Sequence, residues 1–149
     1  MRFADKKDIL QLSKLRVEQQ KDDWQNKYED KNNLLERTEQ YLKLHLNKDL
    51  YIIIEEVDNM IIATCGLQVI NYLPQCNDNG KEGFICNVFT KREQRNKGIQ
   101  TMLLKEILKF SKEQNLCEIK LLTDSKEAIS LYKKFGFEFD DYAMKLILN

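Results

Sequence analysis

The sequence predicts an α/β fold in which a single mixed sheet carries helices on both faces. Three features of the pattern support this prediction. Apolar residues recur at helical spacing in much of the first third of the chain, and β-branched runs then replace them. A strand, a long amphipathic helix and another strand follow between positions 83 and 123, which is typical of a parallel crossover. Two short apolar runs close the chain.

The first third of the chain predicts one short strand and then a helix. Residues 1–4 fit the strand, and Asp5 fits a helix N-cap because Asp8 follows three residues later. Apolar residues at helical spacing predict a helix over about 8–20. The segment 21–31, KDDWQNKYEDK, is mostly polar, so we interpret it as a connection or a frayed helical turn.

The next elements are a second helix and a hairpin. An amphipathic pattern predicts a helix over 32–47. The runs 50–56 and 60–70 are rich in β-branched residues and are separated by a short polar step. They predict two antiparallel strands with Asp58 and Asn59 near the turn.

The second half of the chain alternates strands and helices. Residues 71–81 read as a loop, 83–90 as a strand, 98–114 as a helix and 117–123 as a strand. A short helix is expected over 125–135.

Gly136 should end that helix, and two last strands fit 137–139 and 142–148. The predicted order is therefore β-α-α-β-β-β-α-β-α-β-β, and residues 1–149 are expected to form a single domain.

The composition excludes several classes of protein. Hydrophobic residues make up 42% and charged residues 32%, with 24 of each sign, so the formal net charge is zero. No global basic field draws the chain to nucleic acid or to an anionic membrane, and no apolar run is long enough to cross a bilayer. The first ten residues lack the apolar stretch of a secretory signal, so we expect a cytoplasmic protein.

Cysteine and histidine do not form a metal pattern. Cys65, Cys76, Cys86 and Cys117 are widely spaced, and His45 is the sole histidine. A zinc site needs closer ligands, so we expect no metal. We expect four reduced thiols packed as small hydrophobes.

A glycine lies where the longest predicted helix begins. Gly98 follows the stretch KREQRNK, which supplies Lys91, Arg92, Arg95 and Lys97. The first turn of a helix exposes unpaired N–H groups and partial positive charge, a combination that binds phosphate. A residue without a side chain lets a phosphate approach these amides closely. By chemistry alone, an anion site and a surface turn with solvated charge both remain open.

Two motifs resemble the GNAT superfamily of acyl-CoA-dependent N-acetyltransferases. Residues 95–100, RNKGIQ, resemble the family pattern [Q/R]xxGx[G/A], and 125–137, SKEAISLYKKFGF, resemble NxxAxxLYxKxGF. The order of elements along the chain is also similar. Gln100 departs from the family because it replaces a glycine or alanine; it would crowd the phosphates or donate to them. Ser125 replaces the usual asparagine.

The resemblance implies a splayed sheet and acetyl-CoA as co-substrate. In the family, the pyrophosphate binds to amides of the loop, and the pantetheine arm runs beside the strand before it. On this chain the implied contacts are Ser125, the strand residues Val88, Phe89 and Thr90, and the loop residues Arg95, Asn96, Lys97, Gly98, Ile99 and Gln100. Tyr132 takes the position of the general acid.

The resemblance further implies direct attack of an amine on the thioester, in a small molecule or peptide that we do not identify. Glu55, Glu56, Glu82 and Asn87 are open candidates for activating that amine, as is a water relay, and a covalent role for Cys86 is disfavoured. Acids at 22, 23, 29 and 30 would suit a cationic acceptor. Alternatives are a non-catalytic acyl-CoA module and an interaction protein that binds no cofactor. The apolar final strands would suit a homodimer.

Overall fold

The structure is a computed structural model that describes residues 1–24, 27–30, 32–140 and 146–148. Five strands and four α-helices lie within these residues. They are β1 (Arg2–Phe3), α1 (Ile9–Trp24), α2 (Leu34–His45), β2 (Leu50–Val57), β3 (Met60–Asn71), β4 (Lys81–Thr90), α3 (Ile99–Glu113), β5 (Glu118–Lys120) and α4 (Lys126–Lys133). The strands form one sheet in the order β1-β2-β3-β4-β5. Only the β4–β5 pair is parallel. The predicted mixed sheet is confirmed.

The sheet is covered on both faces, because its apolar strands send successive side chains to opposite sides. Ile52 and Ile54 of β2 pack into a cluster with α1 and α2. Ile53, between them, packs into a second cluster with α3 and α4. The largest fully buried side chains include Leu12 on the first face and Leu103 on the second.

Local sequence signals are confirmed at three element ends. The Asp5 side chain accepts from the Lys7 amide, and the Asp8 side chain accepts from the Asp5 amide, which forms a capping box ahead of α1. Asp58 and Asn59 both have positive φ, at 50° and 64°, as a tight hairpin turn requires.

Gly136 ends α4 as predicted. Its φ is 86°, and its amide donates to the Lys133 carbonyl while the next amide donates to the Tyr132 carbonyl. These two bonds form a Schellman motif.

Helix α1 is longer than the prediction. It continues through Lys21, Asp22 and Asp23 to Trp24, where the sequence indicated a connection. A salt bridge between Asp22 and the loop after β4 fixes this last turn. The polar composition of this segment could not predict the contact, because the partners of Asp22 lie far away in the sequence.

The predicted C-terminal strands are not found in the described residues. Residues 137–139 and 146–148 have no strand, and 142–145 lie outside the described residues. Phe139, in the first of these segments, is 69% exposed.

The four thiols are free, but they do not share one environment. Cys65 is buried and Cys86 is half-buried, as expected for packed cysteines. Cys76 and Cys117 are exposed, so the expectation of packing is wrong for these two. Cys76 lies in the loop between β3 and β4, and Cys117 lies between α3 and β5.

Candidate functional site

Strand β4 contains one extra residue near its centre. Thr64 of β3 lies opposite Phe89, and Gly66 lies opposite Cys86, so two steps along β3 match three along β4. Asn87 takes the left-handed conformation at φ 49°. The Thr64 hydroxyl donates to the Asn87 carbonyl over 2.7 Å. This is a β-bulge, a feature that bends a strand and turns its side chains to new directions.

The bulge changes which β4 side chains face which helices. Cys86 and Phe89 are three residues apart, and both face the cluster under α1 and α2. Ile85 and Val88 both face the α3 and α4 side. In a regular strand, residues three apart would point to opposite faces. The extra residue therefore sets the side-chain directions at the predicted site.

Beyond its first residues, β4 separates from β5. Pairing is limited to Glu82–Phe84 with Glu118–Lys120, although β4 continues to Thr90. The remaining part of β4, which includes Val88, Phe89 and Thr90, has no β5 partner. The sheet is thus splayed as the resemblance implied, and this edge can pair with an extended ligand.

The N-terminus of α3 lies just after this edge. Gly98 is the N-cap, at φ 74°, and no side chain caps the helix. A Cβ placed on Gly98 would meet no atom of the described residues within 4 Å. The space beside the glycine is therefore open, and Asn96, exposed and at φ 62°, leads into it. Uncapped amides that face open space suit a diphosphate.

The cations of the preceding loop are held by acids of α1. Asp22 forms salt bridges with both Arg92 and Arg95, and hydrogen bonds from Arg95 and Arg92 hold its pKa below the ordinary value. Lys91 pairs with Glu18 at 3.3 Å. Two guanidinium groups share one carboxylate, so the loop keeps an excess of positive charge.

The other loop contacts are weaker or internal. Arg95 also donates through Nε to the Thr90 carbonyl over 3.0 Å, which ties the loop to the end of β4. The Lys97 ammonium donates to the Gln94 side chain over 2.8 Å on the exposed surface. Asp22 was expected among acids suited to a cationic acceptor, and its salt bridges to two arginines leave it engaged in the loop instead.

Gln100 points into the protein. Its Nε2 donates to the Phe89 carbonyl at 2.8 Å, the Thr90 hydroxyl oxygen at 2.9 Å and the Thr64 carbonyl at 3.1 Å. The sequence suggested that this side chain crowds the phosphates or donates to them, but its hydrogen bonds go to β3 and β4 instead. The longer side chain instead ties the first turn of α3, where Ile99 is buried, to β3 and β4.

Tyr132 lies on the face of α4 that packs against the sheet. It is 7% exposed, and its ring makes an edge contact with Phe137 at 5.5 Å between centroids. Burial raises the pKa of its phenol to about 12, so the group stays protonated at neutral pH. Ser125 is the N-cap of α4 and accepts from the Ala128 amide, a structural role that the sequence also indicated.

Two cavities flank the sheet on opposite faces. One of about 320 Å³ lies between β5 and α4 and is lined by Tyr132. The other, of about 590 Å³, lies between α1, α2 and the sheet, and its lining includes Cys86 and Asn87 at the bulge.

The carboxylates considered as bases have partners elsewhere. Glu82 pairs with Lys120 at 2.8 Å, Glu55 with the N-terminal amine at 3.3 Å, and Glu56 with Arg2 at 2.8 Å. Of the four named candidates, Asn87 alone lines the cavity at the bulge. Burial raises the pKa of the Cys86 thiol to about 11, which disfavours a thiolate nucleophile there.

Sequence reasoning missed Gln19. This buried α1 residue receives a hydrogen bond from Arg16 at 2.9 Å and donates to the Val88 carbonyl at 3.2 Å. A polar residue on the apolar stripe of a predicted helix was the available signal.

Within the described residues, no helix is long and apolar enough to cross a membrane. In the same part of the chain, no group of three or more His, Cys, Asp or Glu side chains is placed to hold a metal ion.

Comparison with known proteins identifies relatives across nearly the whole chain. The model of the acetyltransferase (GNAT) family matches residues 10–137. A predicted acetyltransferase from Clostridium acetobutylicum, crystallised with acetyl-CoA, is 32% identical; the match covers 98% of this chain and 94% of that one, with a TM-score of 0.87. No curated protein matches the chain.

More distant structures share the fold. A GCN5-related N-acetyltransferase from Ralstonia eutropha JMP134 has a TM-score of 0.76 at 19% identity, with 98% of this chain and 96% of that chain covered. A possible acetyltransferase from Clostridium difficile 630 has a TM-score of 0.79 at 18% identity, with coverages of 99% and 95%. The family match over most of the chain and the 32% identical relative lead to one assignment: this chain belongs to the GNAT family of acetyltransferases.

Proposed function

We propose that the protein transfers an acetyl group from acetyl-CoA to a primary amine of a small molecule or peptide by direct attack in a ternary complex. One observation carries the proposal. The uncapped N-terminus of α3 opens beside Gly98, directly after the part of β4 that β5 leaves unpaired. The relative from Clostridium acetobutylicum, crystallised with acetyl-CoA, supports the choice of acyl donor.

The residues present fit a bound coenzyme. Amides of residues 95–100 would hold the pyrophosphate, and the excess positive charge of Arg92 and Arg95 adds attraction. The backbone of Val88, Phe89 and Thr90 would pair with the pantetheine arm. Ser125 supports this side of the site by capping α4, which carries Tyr132. Acetyl-CoA, when bound, supplies an acyl group activated as a thioester.

Groups of this chain would then meet three chemical needs. An N–H of the 88–90 backbone donates to the oxyanion that develops on the carbonyl oxygen. As the carbon–nitrogen bond forms and the carbon–sulfur bond breaks, the Tyr132 hydroxyl gives its proton to the sulfur. The amine loses its proton to solvent, and a water held by the Asn87 side chain would relay it. Tyr132 regains a proton from water.

A thiol-release assay with Tyr132→Phe tests this proposal. We expect CoA release from acetyl-CoA with at least one amine among amino acids, polyamines, aminoglycosides and peptides. Tyr132→Phe should lower turnover by about 100-fold, the lower end of the usual contribution of a positioned acid, and should leave the affinity for acetyl-CoA unchanged.

Tyr72→Phe is the matched control, because this phenol is 54% exposed and lies outside the site. It should have wild-type turnover. If calorimetry shows acetyl-CoA binding but no amine releases CoA, the chain is a non-catalytic acyl-CoA module. If acetyl-CoA does not bind at all, the proposed site is wrong.

A further inference from the structure

The cavity of about 590 Å³ at the β4 bulge is lined by two arginines that form no salt bridge with the described residues, although the charge of Arg16 opposes the rise in the pKa of Asp23 that burial causes. Arg16 of α1 and Arg37 of α2 both line it, as do Cys86 and Asn87 at the bulge. None of the described residues that line it is an aspartate or glutamate. Among the described residues, neither arginine makes a salt bridge, whereas Arg2, Arg92 and Arg95 all do.

The two guanidinium groups come from different helices, α1 and α2, which both border the cavity. Arg16 is half-buried, and its Nη1 donates to the Gln19 side chain over 2.9 Å, which leaves further donors of its planar fork free. The charge of Arg16 also opposes the rise in the pKa of Cys86 that burial causes, as expected of a cation beside the bulge. Arg37 is exposed at the cavity mouth and has no side-chain partner in the described residues.

We propose that the acceptor is an amine that also carries a carboxylate, such as a free amino acid, and that Arg16 and Arg37 bind this carboxylate. The inference rests on the proposed function and names its acceptor class. A planar guanidinium binds carboxylate through two parallel hydrogen bonds, and two positive charges in a cavity whose described lining has no acid repel a simple cationic amine.

The rest of the lining suits an amino-acid side chain. Leu12, Leu42 and Ile52 supply apolar surface, and Tyr41 and Gln68 are hydrogen bonded to each other at 3.1 Å. A carboxylate held by the arginines would leave the amine free to reach Asn87 and the β4 bulge. The cavity volume is within the range that binds small molecules and exceeds the need of one amino acid.

Paired acceptors that differ only in the carboxylate provide the test. Thiol release by the full chain would be compared for leucine and 3-methylbutylamine, phenylalanine and 2-phenylethylamine, and the remaining amino acids with their decarboxylated partners. Phosphoethanolamine tests a phosphate in place of the carboxylate. We expect the best amino acid to exceed its partner at least about tenfold in kcat/KM, the value of one charge-assisted hydrogen bond.

Variants locate the effect in the cavity. Arg37→Ala should raise KM for the amino acid about tenfold or more and leave both kcat and the KM of acetyl-CoA unchanged. Lys43→Ala removes a cation from the same helix outside the cavity, and it should change neither constant. Arg16→Lys keeps the charge but loses the planar fork, so it should raise KM less than Arg16→Ala.

The outcomes separate this inference from the proposed function. Equal turnover of amines with and without the carboxylate, or an unchanged KM in Arg37→Ala, overturns the inference and leaves acetyl transfer intact. Preference for phosphoethanolamine also overturns it. If no amine releases CoA, acetyl transfer is refuted, and calorimetry of amino acids with the CoA-bound protein then tests the inference alone. Binding that Arg37→Ala weakens about tenfold or more supports the carboxylate site. Absence of binding, or binding that Arg37→Ala leaves unchanged, overturns it.

Discussion

Replacing Gly98 with alanine tests the proposed anion site most directly. The residue is at φ 74°, where an L side chain costs about 1–2 kcal/mol, and a Cβ there meets no protein atom within 4 Å. The free energy of unfolding should therefore fall by that backbone cost alone. For a chain of this size, the loss corresponds to about 2–8 °C in Tm.

The effect on coenzyme binding should be larger than the strain explains. The added methyl group lies beside uncapped amides of α3, where it would keep a phosphate from close approach. Loss of one charge-assisted hydrogen bond weakens binding by about 1.5–3 kcal/mol, which is about 10–150-fold in Kd. Isothermal titration with CoA and acetyl-CoA measures this directly.

Gly136→Ala is the matched control. Gly136 has φ 86° and is also free of protein atoms within 4 Å of an added Cβ, so its substitution causes similar strain. It lies after α4 and not before α3. We expect a similar loss of Tm with unchanged affinity for CoA. Equal affinity in the Gly98 variant and the wild type would refute the argument, as would equal weakening in both variants.

Three further predictions follow from buried or paired side chains. Gln100→Ala should lower stability by about 1 kcal/mol, because three accepting groups lose their donor, and should leave the Kd of CoA unchanged; weaker binding would mean that the amide contacts phosphate. Asp22→Asn should lower Tm by about 2–4 °C at neutral pH. Arg95 and Arg92 lower the pKa of Asp22 in the folded state, so the Asp22 carboxylate stabilises the fold above the ordinary pKa of 3.8, and this stabilisation is lost as pH falls. Denaturation curves in which the variant remains less stable than the wild type at low pH would contradict this. Burial raises the pKa of Tyr132 from 10.0 to about 12, so the stability that the buried phenol contributes is complete below pH 10 and is lost as pH rises toward 12. The free energy of unfolding of the wild type should therefore fall more over this range than that of Tyr132→Phe. An equal fall in both proteins would contradict the assigned burial.

The parts of the fold that could be predicted depend on contacts close in sequence. The Asp5 capping box, the Asp58-Asn59 turn and the Gly136 helix end each involve residues within a few positions of one another. Their signals are therefore complete in the sequence. The start of α3 at Gly98 was predicted for the same reason, and its position after β4 followed from the strand pattern.

The parts that could not be predicted depend on distant partners. Asp22 and Arg95 are 73 positions apart, and their salt bridge both extends α1 and occupies an acid for which the neighbouring sequence predicts no partner. Gln100 turns inward because the Phe89 and Thr64 carbonyls are within reach, which requires the sheet to be built first. The bulge at Asn87 likewise appears only when β4 is paired with β3.

Helix α1 joins the two sides of the site. Arg16, Gln19 and Asp22 follow one another at intervals of three, which places them along one face of the helix. Arg16 lines the proposed acceptor cavity, Gln19 binds the Val88 carbonyl, and Asp22 holds Arg92 and Arg95 before α3. Because these contacts share one rigid element, a shift of α1 caused by an acceptor at Arg16 would also move the loop that we propose faces the coenzyme. Each ligand should therefore change the affinity for the other. Gln19→Ala breaks the contact between α1 and the Val88 carbonyl, so it should reduce this mutual effect by a larger factor than it reduces the affinity for either ligand alone. Titration of each ligand with and without the other measures that coupling, and additive binding in the wild type would show that α1 transmits nothing.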